Sequence, residues 1–326
     1  MPYSLPPITN LCFAMNTYLT LLRTGLLLGC MLILLQSCEE NPPFTIDLDG
    51  TPIDTSTNTG GDNVPMITKD TTFVAPLATP QNHVVLIEEF TGVSCVNCPA
   101  GHDVTKSILL NNPNRVIAAL IHAGFLTDPH PNSTQVFVTP ETEALYDLML
   151  VEAVPSAAIN RTLFEGEPRL AITNKSQWGG RVASELGNAT PVNLYLHRTY
   201  DPATRQVKAY VQLRYTQSVA EANNVTVYIT ENDIVDPQLL PDPVTGQSYV
   251  LDTYVHQHVV RDVLSATSGD AVQVSPPQNS GTVIVKTFVS TLSGAWNADN
   301  CHIVALVHQA SGTRKVLQSA EIDLVE

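Results

Sequence analysis

The sequence predicts an α+β chain of more than one domain, in which a mixed α/β domain is followed by an all-β sandwich. Three observations lead there. Apolar strand-like runs alternate with helix-like runs between residues 81 and 188. After Thr190 the helical pattern stops, and short Val- and Tyr-rich runs take over. Turn clusters rich in Pro, Gly, Asp and Asn punctuate both stretches. With 326 residues, 44% of them apolar, the chain has room for two ordinary cores. Its net charge of −15, from 16 Lys and Arg against 31 Asp and Glu, gives no electrostatic footprint for nucleic acid.

Ahead of the folded part lie an export signal and a tether. Arg23 precedes an uncharged run from Gly25 to Leu35, too short to span a bilayer but suited to the apolar region of a secretory signal. The run ends in Leu35-Gln36-Ser37-Cys38, which resembles a bacterial lipobox. Residues 1–37 are therefore expected to be removed and Cys38 to be acylated, anchoring the chain to a membrane. Met15 makes a better initiator than Met1, because residues 1–14 carry three prolines and no basic residue. An ordinary signal with an incidental cysteine is the alternative. Glu39-Glu40 resembles the signal that sends Bacteroidota lipoproteins to the cell face, so the expected location is the outer membrane, facing the periplasm or the cell surface. Residues 38–80 are rich in Pro, Thr, Asp, Asn and Gly and read as a flexible tether, about 40 residues with a span of roughly 35 Å. Asp70-Thr71-Thr72 fits a short O-glycosylation pattern that such a tether would expose.

In the α/β domain, residues 81–188, His83–Phe90 reads as a central strand and Pro99 as the first turn of a helix running to Leu110. Val116–His122 is a second strand, residues 123–140 a long loop and Glu141–Leu150 a helix. Ala157–Thr162 and a piece after Pro168 form a hairpin, and Lys175–Leu186 a closing helix. In residues 189–326 seven runs read as strands: Val192–Arg198, Val207–Thr216, Val225–Thr230, Val255–Leu264, Val283–Leu292, His302–His308 and Lys315–Leu324. Seven short strands with no helical pattern argue for an Ig/fibronectin-like sandwich.

Removal of the signal leaves Cys38 as the lipid site and Cys95, Cys98 and Cys301 as thiols. That is too few for a disulfide-stapled scaffold, although an exported compartment allows one bridge. Cys301 sits in the apolar run Cys301–Val307 and reads as a buried packing residue. Cys95-Val96-Asn97-Cys98 follows a strand and opens a helix, where unpaired N–H groups and the helix dipole favour a thiolate. Cys95 would attack and Cys98 would resolve the mixed disulfide.

Two further residues match the thioredoxin superfamily. Val154-Pro155-Ser156 lies just before a strand, where that fold carries a cis-proline that clamps a substrate chain. Glu89, six residues before Cys95, matches the buried carboxylate that accepts the resolving cysteine's proton. Ser94 and the Val96-Asn97 pair depart from the usual thioredoxin residues, which leaves the redox poise open. The stretch Glu88–His102, together with Ile121-His122-Ala123-Gly124 and Tyr254–Arg261, resembles the outer membrane protein 28 family of Bacteroidota over residues 80–326. The resemblance implies an outer-membrane lipoprotein with a thioredoxin-like domain followed by a sandwich.

The sequence thus points to thiol–disulfide exchange on cysteine-containing envelope proteins, with Cys95, Cys98, Pro155 and Glu89 as site residues and no cofactor. The rival is a surface-binding or adhesion lipoprotein with an unidentified surface partner, in which the Cys95–Cys98 bridge is structural. Metal binding is a third reading. His102 and His122 could join the two cysteines, and His256 and His258 fall on one face if residues 255–264 form one strand. No nucleophile–histidine–acid triad, phosphate loop or glycosidase carboxylate pair is discernible.

Overall fold

The structure, a computed structural model, describes residues 67–272 and 276–325. The signal over 1–37, the lipid site Cys38, Glu39-Glu40 and the tether as far as residue 66 lie outside the described residues. In chain order the elements are β1 (Thr71–Val74), β2 (Val85–Thr91), α1 (Cys98–Asn111), β3 (Val116–His122), α2 (Pro140–Leu148), β4 (Ser156–Ile159), β5 (Ala171–Ile172) and α3 (Trp178–Leu186). They continue with β6 (Val192–Asp201), β7 (Gln206–Tyr215), β8 (Asn223–Glu231), β9 (Ile234–Val235), β10 (Gln238–Pro241), β11 (Ser248–Leu251) and β12 (Val255–His256). The last are β13 (Val259–Val263), β14 (Asp270–Ala271), β15 (Thr282–Thr291), β16 (Cys301–Gln309) and β17 (Val316–Asp323).

Most of the described residues that form regular structure are in strands. The larger sheet has the order β17-β16-β8-β13-β3-β2-β4-β5, with β14 also paired to β8. In it β2 and β3 run parallel, from Val85 opposite Val116 to Thr91 opposite His122. Every residue of these two strands is buried, which suits the apolar run of β3, whereas β2 buries Glu88 and Glu89 among its apolar residues. β4 lies antiparallel to β2, and β5 antiparallel to β4. Along β2 alternate side chains face opposite ways. Val85 and Ile87 pack with Ile108 of α1 and Trp178 and Val182 of α3, whereas Leu86 and Phe90 pack with Leu145 of α2 and with Met149 just past its end. The helix starts follow local chemistry. Pro99 stands in the first turn of α1, and Thr139 and Thr142 form a reciprocal capping box at the start of α2.

A second sheet, β1-β15-β7-β6, faces the β8–β16 side of the first. Leu213, Tyr215 and Ile284 from one sheet meet Val227, Ile229 and Ile303 from the other in a shared core, a sandwich arrangement. Strands from both sides of residues 188–189 hydrogen-bond into the larger sheet. The joint is a parallel pairing of Val259 with Leu120, and Leu120 N donates to His258 O at 2.8 Å. The core beneath α2 likewise takes Tyr228, Val260 and Leu306 from beyond residue 188.

A buried polar knot crosses the same joint. Arg161, directly after β4, places two N–H groups on the Glu88 carboxylate at 2.7 and 2.8 Å, and the Tyr228 hydroxyl donates to Glu88 Oε1 at 2.7 Å. All three side chains are fully buried. Burial is the largest single influence on Arg161 and would lower its pKa, but the Glu88 charge, Tyr228 and the hydrogen bonds to both together hold the guanidinium above its usual value.

Several expectations need correction. The tether expected over 38–80 ends sooner, because Thr71–Val74 forms an edge strand paired with β15. Its β-branched and aromatic residues alternate between half-buried and exposed, as an edge strand requires. Thr71 and Thr72 of the glycosylation pattern are therefore held in a strand, where Thr72 is exposed. The run 255–264 is not one strand, since His258 adopts a left-handed φ of 54° between β12 and β13. His256 and His258 do not share one strand face. The closing helix begins as a 3₁₀ turn at Lys175–Gln177. Strands β9, β10, β11 and β14 had no counterpart in the sequence reading.

Candidate functional site

Cys95 and Cys98 are joined by a disulfide. A tight turn leads into it: Cys95 N donates to Gly92 O at 3.1 Å and Cys98 N to Cys95 O at 3.2 Å. Cys98 is the first residue of α1, and its N-cap Asn97 provides no side-chain cap. The helix-end N–H groups are thus left to the sulfurs' surroundings.

The alternation that points Val85 and Ile87 at α1 also points Glu89 there. Glu89 is fully buried; its Oε2 accepts from Thr105 Oγ1 at 2.6 Å, and its Oε1 has no hydrogen-bond partner. Desolvation raises its pKa from the usual 4.5 to about 8, opposed more weakly by the Thr105 hydrogen bond and the Lys175 charge. Gly101 permits this packing. A Cβ there would stand 2.5 Å from Glu89 Oε1 and 3.0 Å from Pro155 Cβ. Glu89 and Pro155 therefore converge on α1 one turn past Cys98. The Val154–Pro155 peptide is cis. All four residues singled out for exchange chemistry, Cys95, Cys98, Glu89 and Pro155, lie around the start of α1.

The histidines behave differently. His102 shares hydrogen bonds of 2.8 Å with Tyr254 through Nδ1 and with Thr91 Oγ1 through Nε2, so both nitrogens are engaged. Burial lowers its pKa to about 3. His122 is buried against the rings of Phe137 and His256, and neither of its nitrogens finds a partner. His256 Nε2 bonds to Asp236 O at 3.2 Å, and burial lowers its pKa to about 4. Among the described residues no group of three or more His, Cys, Asp or Glu is arranged to hold a metal ion. Cys301 is buried in the sandwich core, and burial pushes its thiol up to about 12.

The disulfide is covered. Cys95 is 2% exposed and Cys98 0%. Strand β10 lies over the turn, with Leu239 N donating to Val93 O at 2.9 Å. Gln238 Nε2 reaches Cys95 O at 3.2 Å and Gly92 O at 3.3 Å. Sequence reasoning missed Gln238, Tyr254, Gly101 and Thr105. The last two could have been found, because small residues four apart on a helix share the face that packs on a neighbouring strand. Gln238 and Tyr254 lie more than 130 residues downstream; Tyr254 opens a run that resembles the family, but nothing in the sequence ties either residue to the cysteines.

Fold and site together define a class: a β-rich protein whose larger sheet carries an oxidised, buried Cys-x-x-Cys turn at a helix start. The chain belongs to the outer membrane protein Omp28 family, whose model matches residues 142–324. Membership supports an outer-membrane location. The matched stretch begins beyond Cys95 and Cys98, so the disulfide lies outside it. Among solved structures the chain is similar to HBP35 of Porphyromonas gingivalis, with a TM-score of 0.58 and 19% identity over 74% of this chain and 76% of that one. At that identity the likeness shows a shared fold. A weaker likeness is to protein AGR_C_4864 from Agrobacterium tumefaciens, with a TM-score of 0.44 and 15% identity over 74% of this chain and 95% of that one. No match is found among the curated proteins.

Proposed function

We propose that the protein is an outer-membrane lipoprotein, anchored through Cys38, whose thioredoxin-like domain exchanges disulfides with cysteine-containing envelope proteins. The strand order β3-β2-β4-β5, with α1 and α3 on one face and α2 on the other, supports the thioredoxin-like reading. The observation that carries the proposal is Glu89, a buried carboxyl with a free Oε1 and a pKa near 8, packed on α1 one turn past Cys98.

In this reading a substrate thiolate attacks the Cys95 sulfur, the Cys95–Cys98 bond breaks, and Cys98 leaves as a thiolate that takes a proton from Glu89. A second substrate thiolate then attacks the mixed disulfide, releasing Cys95 and an oxidised substrate. Run backwards, Cys95 attacks a substrate disulfide and Cys98 resolves it, returning its proton to Glu89. A carboxyl that titrates near neutral pH serves both directions.

The burial of both cysteines favours a second reading, in which the bridge only pins the start of α1 and the sandwich binds a surface partner. The two readings make different demands on single cysteine variants. Under the exchange reading Cys98→Ser accumulates mixed disulfides with envelope proteins, seen as dithiothreitol-sensitive bands on non-reducing gels, and Cys95→Ser does not. If neither variant traps a partner while both lose stability equally, the bridge is structural.

A further inference from the structure

We infer that the arm between Asn232 and His258 is a hinged cover, occupying the place of an extended partner chain over Cys95–Cys98, and that it must swing aside before a polypeptide reaches the sulfurs. This rests on the exchange reading and adds to it how the site is closed and what opens it.

The arm is built apart from the rest of the fold. β9 pairs only with β12 and β10 only with β11, in two small sheets outside both large ones. Residues with left-handed backbone bracket it, Asp233 with φ 57° and His258 with φ 54°. Non-glycine residues in that region are sparse and cluster where a chain changes direction or switches. The far end, residues 243–250, is exposed to solvent.

The inner edge, by contrast, is wedged against the disulfide turn. β10 gives the Leu239 N–H to the Val93 carbonyl, as a neighbouring strand would. Gln238 is fully buried and spreads one amide group over the carbonyls of Gly92 and Cys95. The fit is imperfect, because Gln238 Oε1 and Asp236 Oδ2 are buried without partners. Two unsatisfied acceptors weaken the closed arrangement relative to one in which water or another chain reaches them. The apolar seal at the arm's root is small: Ile234 with Val93, Phe137 and Val259. The His256 ring packs against Phe137 and His122, and the other fastenings are polar, with Asp236 accepting from Thr134 and Gln135 and Tyr254 bonded to His102.

An occupant that displaces the arm has to satisfy what the arm satisfies. Val93 O, Gly92 O and Cys95 O each lose a donor when the arm leaves, and a chain in extended conformation supplies backbone N–H groups at strand spacing. The partner this edge fits is an extended, cysteine-bearing segment of another protein.

Two measurements on the full-length protein in detergent test this. The first is hydrogen exchange. The Leu239 amide is expected to exchange through arm opening, far faster than the β2 amides beneath it, whereas equal protection would show that the arm is part of the core. The second is the rate at which tris(2-carboxyethyl)phosphine reduces Cys95–Cys98, counted by alkylation and mass spectrometry. Gln238→Ala is expected to raise that rate about tenfold, the effect of losing roughly one net hydrogen bond. An unchanged rate would overturn the cover. If Gln238→Ala fails to fold, Asp236→Asn loosens the same arm from the Thr134 side and carries the same expectation. Leu239 as protected as β2 with partners still trapped by Cys98→Ser defeats the cover and leaves exchange standing. A freely opening arm with no trapped partner does the reverse.

Discussion

Replacing Arg161 with Met is expected to destabilise the protein by about 3–5 kcal/mol, read as a fall in the urea midpoint at pH 7 with little change in slope. Two donors of Arg161 satisfy both oxygens of Glu88, and all of it happens at zero exposure. Removing the cation leaves Glu88 as an unpaired charge with the Tyr228 hydroxyl as its remaining partner. The size of the loss is the cost of that stranded charge, not the worth of the pair. Accordingly, Arg161→Met combined with Glu88→Gln is expected to recover much of the stability. A double variant as unstable as the single one would show that Arg161 acts by packing alone. Because Tyr228 belongs to β8 and Glu88 to β2, the loss should appear as one cooperative transition of the whole larger sheet.

Glu89→Gln is the second large effect, and it pulls stability and exchange in opposite directions. The folded pKa of Glu89 lies near 8 against 4.5 for the free side chain, with burial as the main cause. A group raised in this way gives stability that is fully present below pH 4.5 and lost as pH rises through 8. At pH 7 keeping it protonated costs on the order of 3 kcal/mol. Gln keeps the shape and has no proton to lose, so the variant is expected to match the parent near pH 4.5 and to be more stable above pH 7. Measuring the difference between the two chains at each pH removes the separate acid sensitivity of His102 and His256. Their folded pKa values are lowered to about 3 and about 4, so their contribution is present above pH 6.5 and fades as pH falls through those values. In exchange assays the same substitution removes the proton carrier for Cys98, and the rate is expected to fall by about a hundredfold or more. A more stable variant that exchanges as fast as the parent would remove Glu89 from the chemistry.

How far the sequence could be read depended on whether a signal was local. β3 was legible residue for residue, since Val116–His122 is an apolar run bounded by turn residues. α1 was marked by Pro99 and stopped by Asn112-Pro113, and Val85, Ile87 and Glu89 shared one face by the strand period alone. Local signals placed Cys95 and Cys98 at a helix start, and the likeness to the thioredoxin superfamily added Glu89 and Pro155. β1 was lost in the tether because an edge strand needs only every second residue half-buried. The arm was invisible for a deeper reason. Residues 234–251 hold three prolines and show no strand period, and the arm's strands β9–β12 pair only with one another. The join between the two halves rests on Val259 meeting Leu120 and on Arg161 meeting Glu88 and Tyr228, contacts between residues far apart in the chain. No stretch of sequence carries a local trace of such pairings.

The most direct test is the reduction potential of the Cys95–Cys98 pair, measured in the full-length protein by thiol trapping across graded redox buffers. Thiol–disulfide exchange requires a value between roughly −120 and −270 mV, the span of proteins that trade disulfides. A bridge that stays oxidised below about −300 mV would be a structural staple and would contradict the exchange reading.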